Sequence, residues 1–328
     1  MKNDKIFRKI VKIVKNNNVE LTHNSSLILM GSCFSNEIGK RLNSSGFLTS
    51  QPFGTIFNPM TLGDNLIRIY EKTLFTKNDL TINDGVFFSW NHSGKKYNNN
   101  DFSVLLDKIN NEIEILHSSL DDCPFLLLTF GTSIVYEHKR KIVGNCHKQP
   151  SNYFQKRSLS VENIVSYWKE IIKKCPHQHF IFTVSPVRHY KDGIIENNRS
   201  KAVLILAIDQ LMKLFPNQTS YFPSYEIVMD ELRDYRFYNS DMIHPSNESV
   251  EYIWSKFQGA YMNKNTINIV HQCEKIRQSI NHKPLLSSKI EYKSFLKKLK
   301  EKITDISYKT PLYNWKDELK NLDIKLLD

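Results

Sequence analysis

The stretch that decides the fold is LILMGSCFSNEI, at residues 27–38. Its apolar run ends at Gly31, and a pattern typical of an amphipathic helix begins directly after the turn. A short apolar run followed by a helix indicates a buried strand and the first crossover of a parallel α/β sheet. Ser32 and Cys33, two side chains that can act as nucleophiles, lie at the turn itself.

The same alternation continues along the chain. Further buried-strand candidates are FLLLTFGT (125–132), FIFTVSPV (180–187) and TSYFPSYEIV (219–228). Helical patterns separate them, which predicts an α/β fold with three α/β/α layers and a mostly parallel sheet. From residue 265 onward the pattern changes to Lys-rich helical segments, broken at His282-Lys283-Pro284. We therefore expect a main α/β domain over residues 1–264 and a basic helical C-terminal extension over 265–328 packed on it.

The composition excludes several classes of protein. With 328 residues, of which 40% are hydrophobic, the chain can bury a sizeable core. It has no run of eighteen apolar residues, so we expect no membrane span. Residues 1–18 space lysines between the apolar positions, which is unlike a signal peptide. The five cysteines are widely spaced without a C-x-x-C pair, which argues against a disulfide framework or a structural zinc site. We therefore expect a cytoplasmic protein with reduced thiols.

The formal charge of +11 indicates a basic surface, which could bind an anionic partner. Residues 1–20 carry six Lys and Arg against two acids, and residues 265–328 carry thirteen against eight. A nucleic-acid binder is one alternative, and it would show a steep salt dependence of affinity. Because the lysines are dispersed along the chain, we favour a solvated basic surface and expect no nucleic-acid partner.

Chemistry-bearing residues follow the predicted strands. In an open parallel sheet, ligands bind at the carboxyl ends of the strands, so these positions are compared together. The sequence places there Gly31-Ser32-Cys33, Gly131-Thr132-Ser133, Ser185-Pro186-Val187-Arg188-His189 and Asp241-Met242-Ile243-His244.

Asp241 and His244 are the most informative of these residues. A carboxylate three residues before an imidazole can accept its Nδ1–H and leave Nε2 free to take a proton from a hydroxyl. Taken alone, this pattern is more often a helix N-cap followed by a packed histidine. Beside a Gly-Ser elbow it favours a Ser–His–Asp site, with Ser32 at a helix N-terminus where backbone N–H groups stabilise an oxyanion.

Several longer stretches resemble the GSCFA family. They are MGSCFSNEIGKRL, FGTSIVY, VGNCHKQP, FTVSPVRHYKDGIIENNRSKA and YFPSYEIVMDELRDYRFYNSDMIHPS, which lie between about residues 20 and 285. This family is regarded as related to the SGNH (GDSL-type) hydrolases, an α/β fold of esterases and acyltransferases. The resemblance therefore implies an SGNH hydrolase-like sheet in flavodoxin-like strand order and a Ser–His–Asp site.

The resemblance also implies roles for single residues. Ser32 takes the place of the nucleophile in the first SGNH block, and Asp241 and His244 match the last block. Gly54 is the best match for the glycine whose N–H joins the oxyanion hole, with the N–H of Cys33 following the nucleophile.

The third block departs from the SGNH pattern. SGNH enzymes carry an asparagine two residues after a glycine there, whereas this chain has Gly131-Thr132-Ser133. The resemblance therefore leaves two replacements for the side-chain oxyanion donor, Asn145 and Thr132.

Other side chains keep more than one interpretation. Cys33 is an alternative nucleophile, because a thiol at a helix N-terminus has a lowered pKa. His147 is a second base, a substrate ligand or a structural histidine on an extended segment. Arg188 either holds an anionic group or a sugar hydroxyl, or forms a salt bridge with an acid of DELRDYR. A metal site of His147, His189 and His244 has no supporting ligand spacing, so we expect no metal and no cofactor.

The sequence therefore predicts an SGNH-like serine esterase or O-acyltransferase. The resemblance implies that the substrate is an O-acyl ester, such as an O-acetyl ester, of a saccharide or small molecule. Ser32 would attack the carbonyl, His244 would act as base and then acid, and Asp241 would fix its tautomer. The competing interpretation is a non-catalytic module that binds a glycan or a protein. The acyl group, the acceptor and the oligomeric state stay open.

Overall fold

The computed structural model describes residues 9–14, 19–281 and 289–327, so the break expected at residues 282–284 lies outside the described residues. The strands are β1 (Ser26–Gly31), β2 (Leu48–Ser50), β3 (Thr81–Asn83), β4 (Val86–Phe88), β5 (Asn98–Asn99), β6 (Phe125–Phe130), β7 (Ile134–His138), β8 (Lys141–Val143), β9 (Gln155–Ser158), β10 (His179–Val184) and β11 (Thr219–Tyr221). The helices are α1 (Cys33–Ser44), α2 (Pro59–Tyr70), α3 (Phe102–Ser119), α4 (Val161–Lys174), α5 (Ile194–Leu214), α6 (Ser224–Glu226), α7 (Asn247–Tyr261), α8 (Lys264–Asn281), α9 (Lys289–Lys309) and α10 (Lys316–Leu327).

The central sheet has five strands in the order β11-β10-β6-β1-β2, and each neighbouring pair is parallel. Counted along the chain, this is the order 2-1-3-4-5, which is the flavodoxin-like order. Two small antiparallel sheets, β3-β4-β5 and β8-β7-β9, lie in the connections. The predicted α/β class with a mostly parallel sheet is confirmed.

Burial on both faces explains why the central strands are mostly apolar. In β1, Ile28 and Met30 pack with residues of α2, α3, α4 and α5. Leu27 and Leu29 point to the opposite face, where they pack with α1 and α7. Alternate residues of a strand face opposite sides of the sheet, so two buried faces favour apolar residues at successive positions. The predicted three-layer arrangement is confirmed.

The strand predicted at residues 219–228 is shorter than its apolar pattern suggests. β11 ends at Tyr221, and α6 begins at Ser224. Pro223 has no N–H to continue a ladder, and the Ser224 hydroxyl donates instead to the Val184 carbonyl at 2.8 Å. A side-chain hydrogen bond thus replaces the backbone one, and the chain leaves the sheet at this point.

Gly31 allows the first strand to turn directly into α1. Its φ is +128°, and a Cβ at this position would overlap the Thr129 carbonyl oxygen on β6. Only glycine fits a backbone conformation and an approach of this kind. The next N–H, that of Ser32, donates to the same Thr129 oxygen at 3.1 Å.

The C-terminal helices pack on the α/β domain through α8. Cys273, on α8, belongs to an apolar cluster with residues of α9 and α10. Val270, also on α8, belongs instead to the core between the sheet and α1. The expected domain boundary at residue 264 stays a prediction. Within the described ranges, no helix has both the length and the apolar character needed to cross a bilayer.

A buried histidine supports the loop that leads from β2 towards the site. His92 is fully buried, and its ring packs against Phe53, Phe75 and Tyr97 with centroids 4.7, 4.8 and 5.2 Å away. Neither ring nitrogen has a hydrogen-bond partner. Burial is the main reason that the pKa of His92 is lowered to about 3, with the Arg68 charge as a lesser cause. The ring therefore stays neutral in the folded protein.

Replacement of this histidine, His92→Phe, should reduce the acid sensitivity of the fold. Below pH 6.5 the unfolded chain binds a proton at His92, whereas the folded chain does so only near pH 3. Stability is therefore lost as the pH falls, by about 1.4 kcal/mol per pH unit from this group. Urea unfolding at pH 7, 6 and 5 should show a shallower decline for the variant than for wild type. His271→Gln, at an exposed position on α8, should keep the wild-type decline, and equal slopes for all three proteins would contradict the assignment.

Candidate active site

Ser32, at the turn between β1 and α1, is fixed by backbone hydrogen bonds. It is the N-cap of α1, and its carbonyl accepts from the Ser35 N–H at 2.9 Å. The residue is 0% exposed, and its Oγ has no hydrogen-bond partner. A buried hydroxyl that makes no hydrogen bond costs about 1–3 kcal/mol. Such a group in a native structure calls for an explanation in function or packing.

Asp241 and His244 form a hydrogen-bonded pair. The His244 Nδ1 lies 2.7 Å from Asp241 Oδ2, while Oδ1 accepts the N–H groups of Ile243 and His244 at 2.9 and 3.0 Å. These hydrogen bonds, led by that of the His244 N–H, lower the pKa of Asp241 to about 2. The carboxylate is therefore ionised at neutral pH and holds Nδ1–H, so that Nε2 is the free ring nitrogen.

A cavity of about 190 Å³ opens beside this pair. Its lining comes from the start of α1, the segment after β10, the loop before α7 and the start of α7, and consists of Cys33, Phe34, Glu37, Val187, Asn239, His244, Pro245, Asn247 and Val250. Pockets for drug-sized ligands measure roughly 300–1,000 Å³. The cavity is smaller than these, and its size suits a short acyl group.

Cys33 is half-buried at the first position of α1. Burial raises the pKa of its thiol and is the largest influence on it, and the Glu37 carboxylate raises the pKa as well. The Cys33 N–H and the Thr55 side chain favour the thiolate, but they do not outweigh burial. The thiol is therefore protonated at neutral pH, and the thiolate expected at a helix N-terminus is not formed.

Hydrogen bonds join the loops that follow the strands. The Ile56 N–H donates to the Gly31 carbonyl at 2.8 Å. In the same loop, the Phe57 carbonyl accepts hydrogen bonds from the N–H groups of Gly131 and Thr132 at 2.8 and 3.0 Å. The loop after β2 is thereby bonded to the ends of both β1 and β6.

Lys201 joins the ends of β6 and β10. It is 1% exposed, and its Nζ donates to the carbonyl oxygens of Gly131 and Ser185 at 2.6 and 2.7 Å. Burial, followed by the nearby Arg188 charge, lowers the pKa of Lys201 to about 7. No motif in the sequence assigns a role to this lysine. Its one sequence signal is helical spacing with buried apolar positions such as Leu204 on α5.

Gly54 and Thr132, two of the expected oxyanion donors, differ in availability. Gly54 has φ +73°, and a Cβ there would overlap the Ser93 carbonyl, so the position requires glycine. Among the described residues, no acceptor receives its N–H. The Thr132 hydroxyl, by contrast, is bonded to the Ser200 hydroxyl at 2.9 Å and accepts the Ile134 N–H. Gly54 therefore retains a free donor, whereas the Thr132 hydroxyl already has two hydrogen-bond partners.

Asn145 and His147 lie in a turn rather than on an extended segment. His147 has a left-handed φ of +48°, and its N–H donates to Asn145 Oδ1 at 2.7 Å. The His147 ring packs against Phe88 with a tilt of 33° between the rings, and its Nε2 lies 2.9 Å from the Ser89 carbonyl. Burial lowers the pKa of His147. Neither residue lines the cavity, and the expectation that His147 lies on an extended segment is wrong.

Arg188 and His189 follow β10 beside the loop that carries His244. The Arg188 N–H donates to the Ile243 carbonyl at 3.3 Å, and its guanidinium contacts Met229 Sδ at 3.0 Å. Within the described residues Arg188 forms no ion pair, and its Nε has no hydrogen-bond partner. Burial, followed by the charge of Lys201, lowers the pKa of His189 to about 4, and its Nε2 also lacks a partner.

Three polar residues around the cavity, Glu37, Asn239 and Asn247, received no role from the sequence alone. Their one signal is position, because Glu37 and Asn239 lie inside the quoted stretches and Asn247 follows one directly. For metals, the ranges that the structure describes contain no group of three or more His, Cys, Asp or Glu that could hold an ion. The candidate site therefore consists of the Asp241–His244 pair, the start of α1 and the loop of Gly54.

Comparison with known proteins gives two matches to family models. The model described as GSCFA family matches residues 26–257. The model described as GSCFA domain protein, C-terminal domain, matches residues 273–328. No curated protein matches the chain. The first match includes every residue of the candidate site, and the second covers the end of α8 together with α9 and α10.

Removal of the buried amine, in Lys201→Met, should destabilise the protein. The carbonyls of Gly131 and Ser185 would lose their donor, and each unsatisfied buried group costs about 1–3 kcal/mol. Urea unfolding should show a fall in stability of that order. The matched control is Lys213→Met, on the same helix, where the side chain is 73% exposed. This control should change stability by less than about 0.5 kcal/mol, and equal effects of the two substitutions would contradict the assigned role.

Proposed function

The chain belongs to the GSCFA family, and we propose that it is an acyl-transfer enzyme, an SGNH-like carboxylic ester hydrolase or O-acyltransferase. The observation that carries the proposal is the Asp241–His244 pair, whose imidazole lines a cavity at the N-terminus of α1. A carboxylate, an imidazole and a nucleophile at a helix N-terminus are the groups that acyl transfer requires.

In the proposed reaction, His244 Nε2 takes the proton of a nucleophile in the β1–α1 turn while that nucleophile attacks an ester carbonyl. Ser32 as nucleophile gives the Ser–His–Asp triad that the sequence predicts, and Cys33 gives the corresponding thiol site. Asp241 is ionised, so it keeps Nδ1–H in place and stabilises the imidazolium. His244 then protonates the leaving oxygen, and water or an acceptor hydroxyl releases the acyl group.

Backbone N–H groups stabilise the oxyanion in this proposal. The first N–H groups of a helix have no partner within the helix and carry the positive end of its dipole, which favours α1 for this role. The free N–H of Gly54 supplies a second hydrogen-bond donor to the oxyanion, from the loop after β2. One such donor is worth on the order of a hundredfold in rate. Because the hydroxyl of Thr132 is engaged, backbone donors carry the stabilisation.

The proposed substrate is an O-acyl ester of a saccharide or small molecule. A cavity of about 190 Å³ favours a short acyl group such as acetyl. Arg188 has no ion pair among the described residues, and its guanidinium contacts neutral groups such as Met229 Sδ and Asn198 Oδ1, so its charge favours a carboxylate, another anionic group or a sugar hydroxyl of the substrate. A cytoplasmic location and the absence of a nucleic-acid partner are part of the same proposal.

A non-catalytic binding module is the second candidate function. The observation that favours it is the engaged hydroxyl of Thr132, which leaves the site without the asparagine donor of SGNH enzymes. In such a module the cavity and Arg188 would hold a glycan or a protein side chain, and Asp241 would serve only to orient His244. This candidate predicts ligand binding without turnover.

Substitution of the pair, in Asp241→Asn and His244→Ala, should abolish turnover of short-chain acyl esters. An amide at position 241 no longer favours the tautomer with a free Nε2, and removal of the imidazole removes the base. Each change should lower kcat on the order of ten-thousandfold, with KM little affected. The measurement is initial-rate kinetics on p-nitrophenyl acetate and on acetylated saccharides.

The matched control for the carboxylate is Asp234→Asn. Asp234 is also exposed and accepts a nearby backbone N–H, that of Arg236, at 2.9 Å. This variant should keep the wild-type kcat. Turnover that survives both Asp241→Asn and His244→Ala would reject the catalytic proposal. A folded wild type that binds acylated saccharides without hydrolysing them would establish the binding module instead.

A further inference from the structure

We infer that Cys33, rather than Ser32, is the nucleophile of this site, so that the acyl-enzyme is a thioester. The inference rests on the proposed acyl-transfer function and identifies which of two adjacent side chains performs it. Cys33 and His244 both line the 190 Å³ cavity. Cys33 and the base His244 thus border the same space, which a substrate carbonyl can enter.

Ser32 does not have this access. It is 0% exposed and does not line the cavity, so a substrate in that space meets Cys33 first. Its Oγ has no hydrogen-bond partner, so it is not bonded to His244 Nε2. Its N–H is held by the Thr129 carbonyl and its own carbonyl by the Ser35 N–H, which fixes the backbone behind the cavity wall.

The state of the thiol explains why a base is needed. Burial and the Glu37 carboxylate raise the pKa of Cys33, so the resting group is a neutral thiol rather than a thiolate. A neutral thiol must lose its proton as it attacks, and His244 is the base that shares its cavity. The Asp241–His244 hydrogen bond therefore orients the base for Cys33 as it would for a serine. A preformed thiolate–imidazolium pair would depend less on such a hydrogen bond.

The chemical steps balance without any further reactant. Cys33 Sγ attacks the ester carbonyl carbon as its proton moves to His244 Nε2, and the C=O electron pair moves to oxygen. When this pair returns, the C–O bond to the alcohol breaks, and the alcohol oxygen takes the proton from Nε2. Water or an acceptor hydroxyl then gives a proton to Nε2 and attacks the thioester, and Cys33 leaves and recovers that proton.

The acyl-enzyme itself provides the test. Wild type, Ser32→Ala, Cys33→Ala, Cys33→Ser and His244→Ala are mixed with p-nitrophenyl acetate, quenched in acid and analysed by intact mass and peptide mapping. We expect an acetyl group on Cys33 in wild type and in Ser32→Ala, released by neutral hydroxylamine as a thioester. Cys33→Ala should carry none and should lose on the order of a thousandfold or more in kcat. Cys33→Ser should form an ester that resists neutral hydroxylamine.

A matched thiol control separates nucleophilic reactivity from simple exposure. Cys146 is also half-buried, so Cys146→Ser should keep wild-type turnover and acylation. Iodoacetamide should alkylate Cys33 faster than Cys146, and His244→Ala should slow the reaction at Cys33 alone. Circular dichroism and thermal unfolding establish that each variant is folded.

The possible results lead to different conclusions. An acetyl group on Ser32, or a Cys33→Ala protein with wild-type turnover that still depends on His244, would overturn the inference and leave the proposed function with Ser32 as nucleophile. Turnover independent of both Cys33 and His244 would reject the proposed function together with the inference. The inference would also be overturned if Cys33 of the wild type were not acetylated and if His244→Ala did not slow its alkylation.

Discussion

The structure depends on the close approach of Gly31 to the Thr129 carbonyl of β6. The pairing of β1 with β6 extends to this residue, where the chain must leave the sheet and start α1 within one residue. A side chain at position 31 would overlap the Thr129 oxygen, so the turn exists only with glycine. The same oxygen then accepts the Ser32 N–H, which places Ser32 behind the first turn of α1 and Cys33 at the cavity.

This turn lies at the point in the parallel sheet where the chain changes the direction in which it adds strands. The chain passes from β1 to β2 on one side and then crosses to β6 on the other, so the loops after these strands diverge and leave a crevice at their carboxyl ends. Phe57 and Lys201 keep the crevice from opening, because their hydrogen bonds tie the loop after β2 to β6, and β6 to β10. A rigid set of strand ends is what a site needs to hold its groups in place.

The positive charges near the ends of β6 and β10 are not paired with acidic side chains of the described residues. Lys201 is buried against carbonyl oxygens, and Arg188, which lowers its pKa, has no acid paired with it in the described part of the chain. The one carboxylate bonded to His244 is that of Asp241, which is ionised and open to solvent. Lys201 and Arg188 therefore favour negative charge near the ends of β6 and β10. By contrast, the Glu37 carboxylate, which lines the cavity, disfavours a thiolate at Cys33.

The sequence by itself determined the fold class, the strand order that its family resemblance implied, and the Asp241–His244 pair. These features depend on residues close together in the sequence. A continuous apolar run indicates a strand that is buried on both faces. A carboxylate three residues before an imidazole is close enough to accept its hydrogen bond. Only the tertiary structure decided that Cys33 rather than Ser32 lines the cavity and that Lys201 joins two strand ends. The reason is that these facts depend on contacts between residues far apart in the chain, such as Gly31 with Thr129, which no local pattern records.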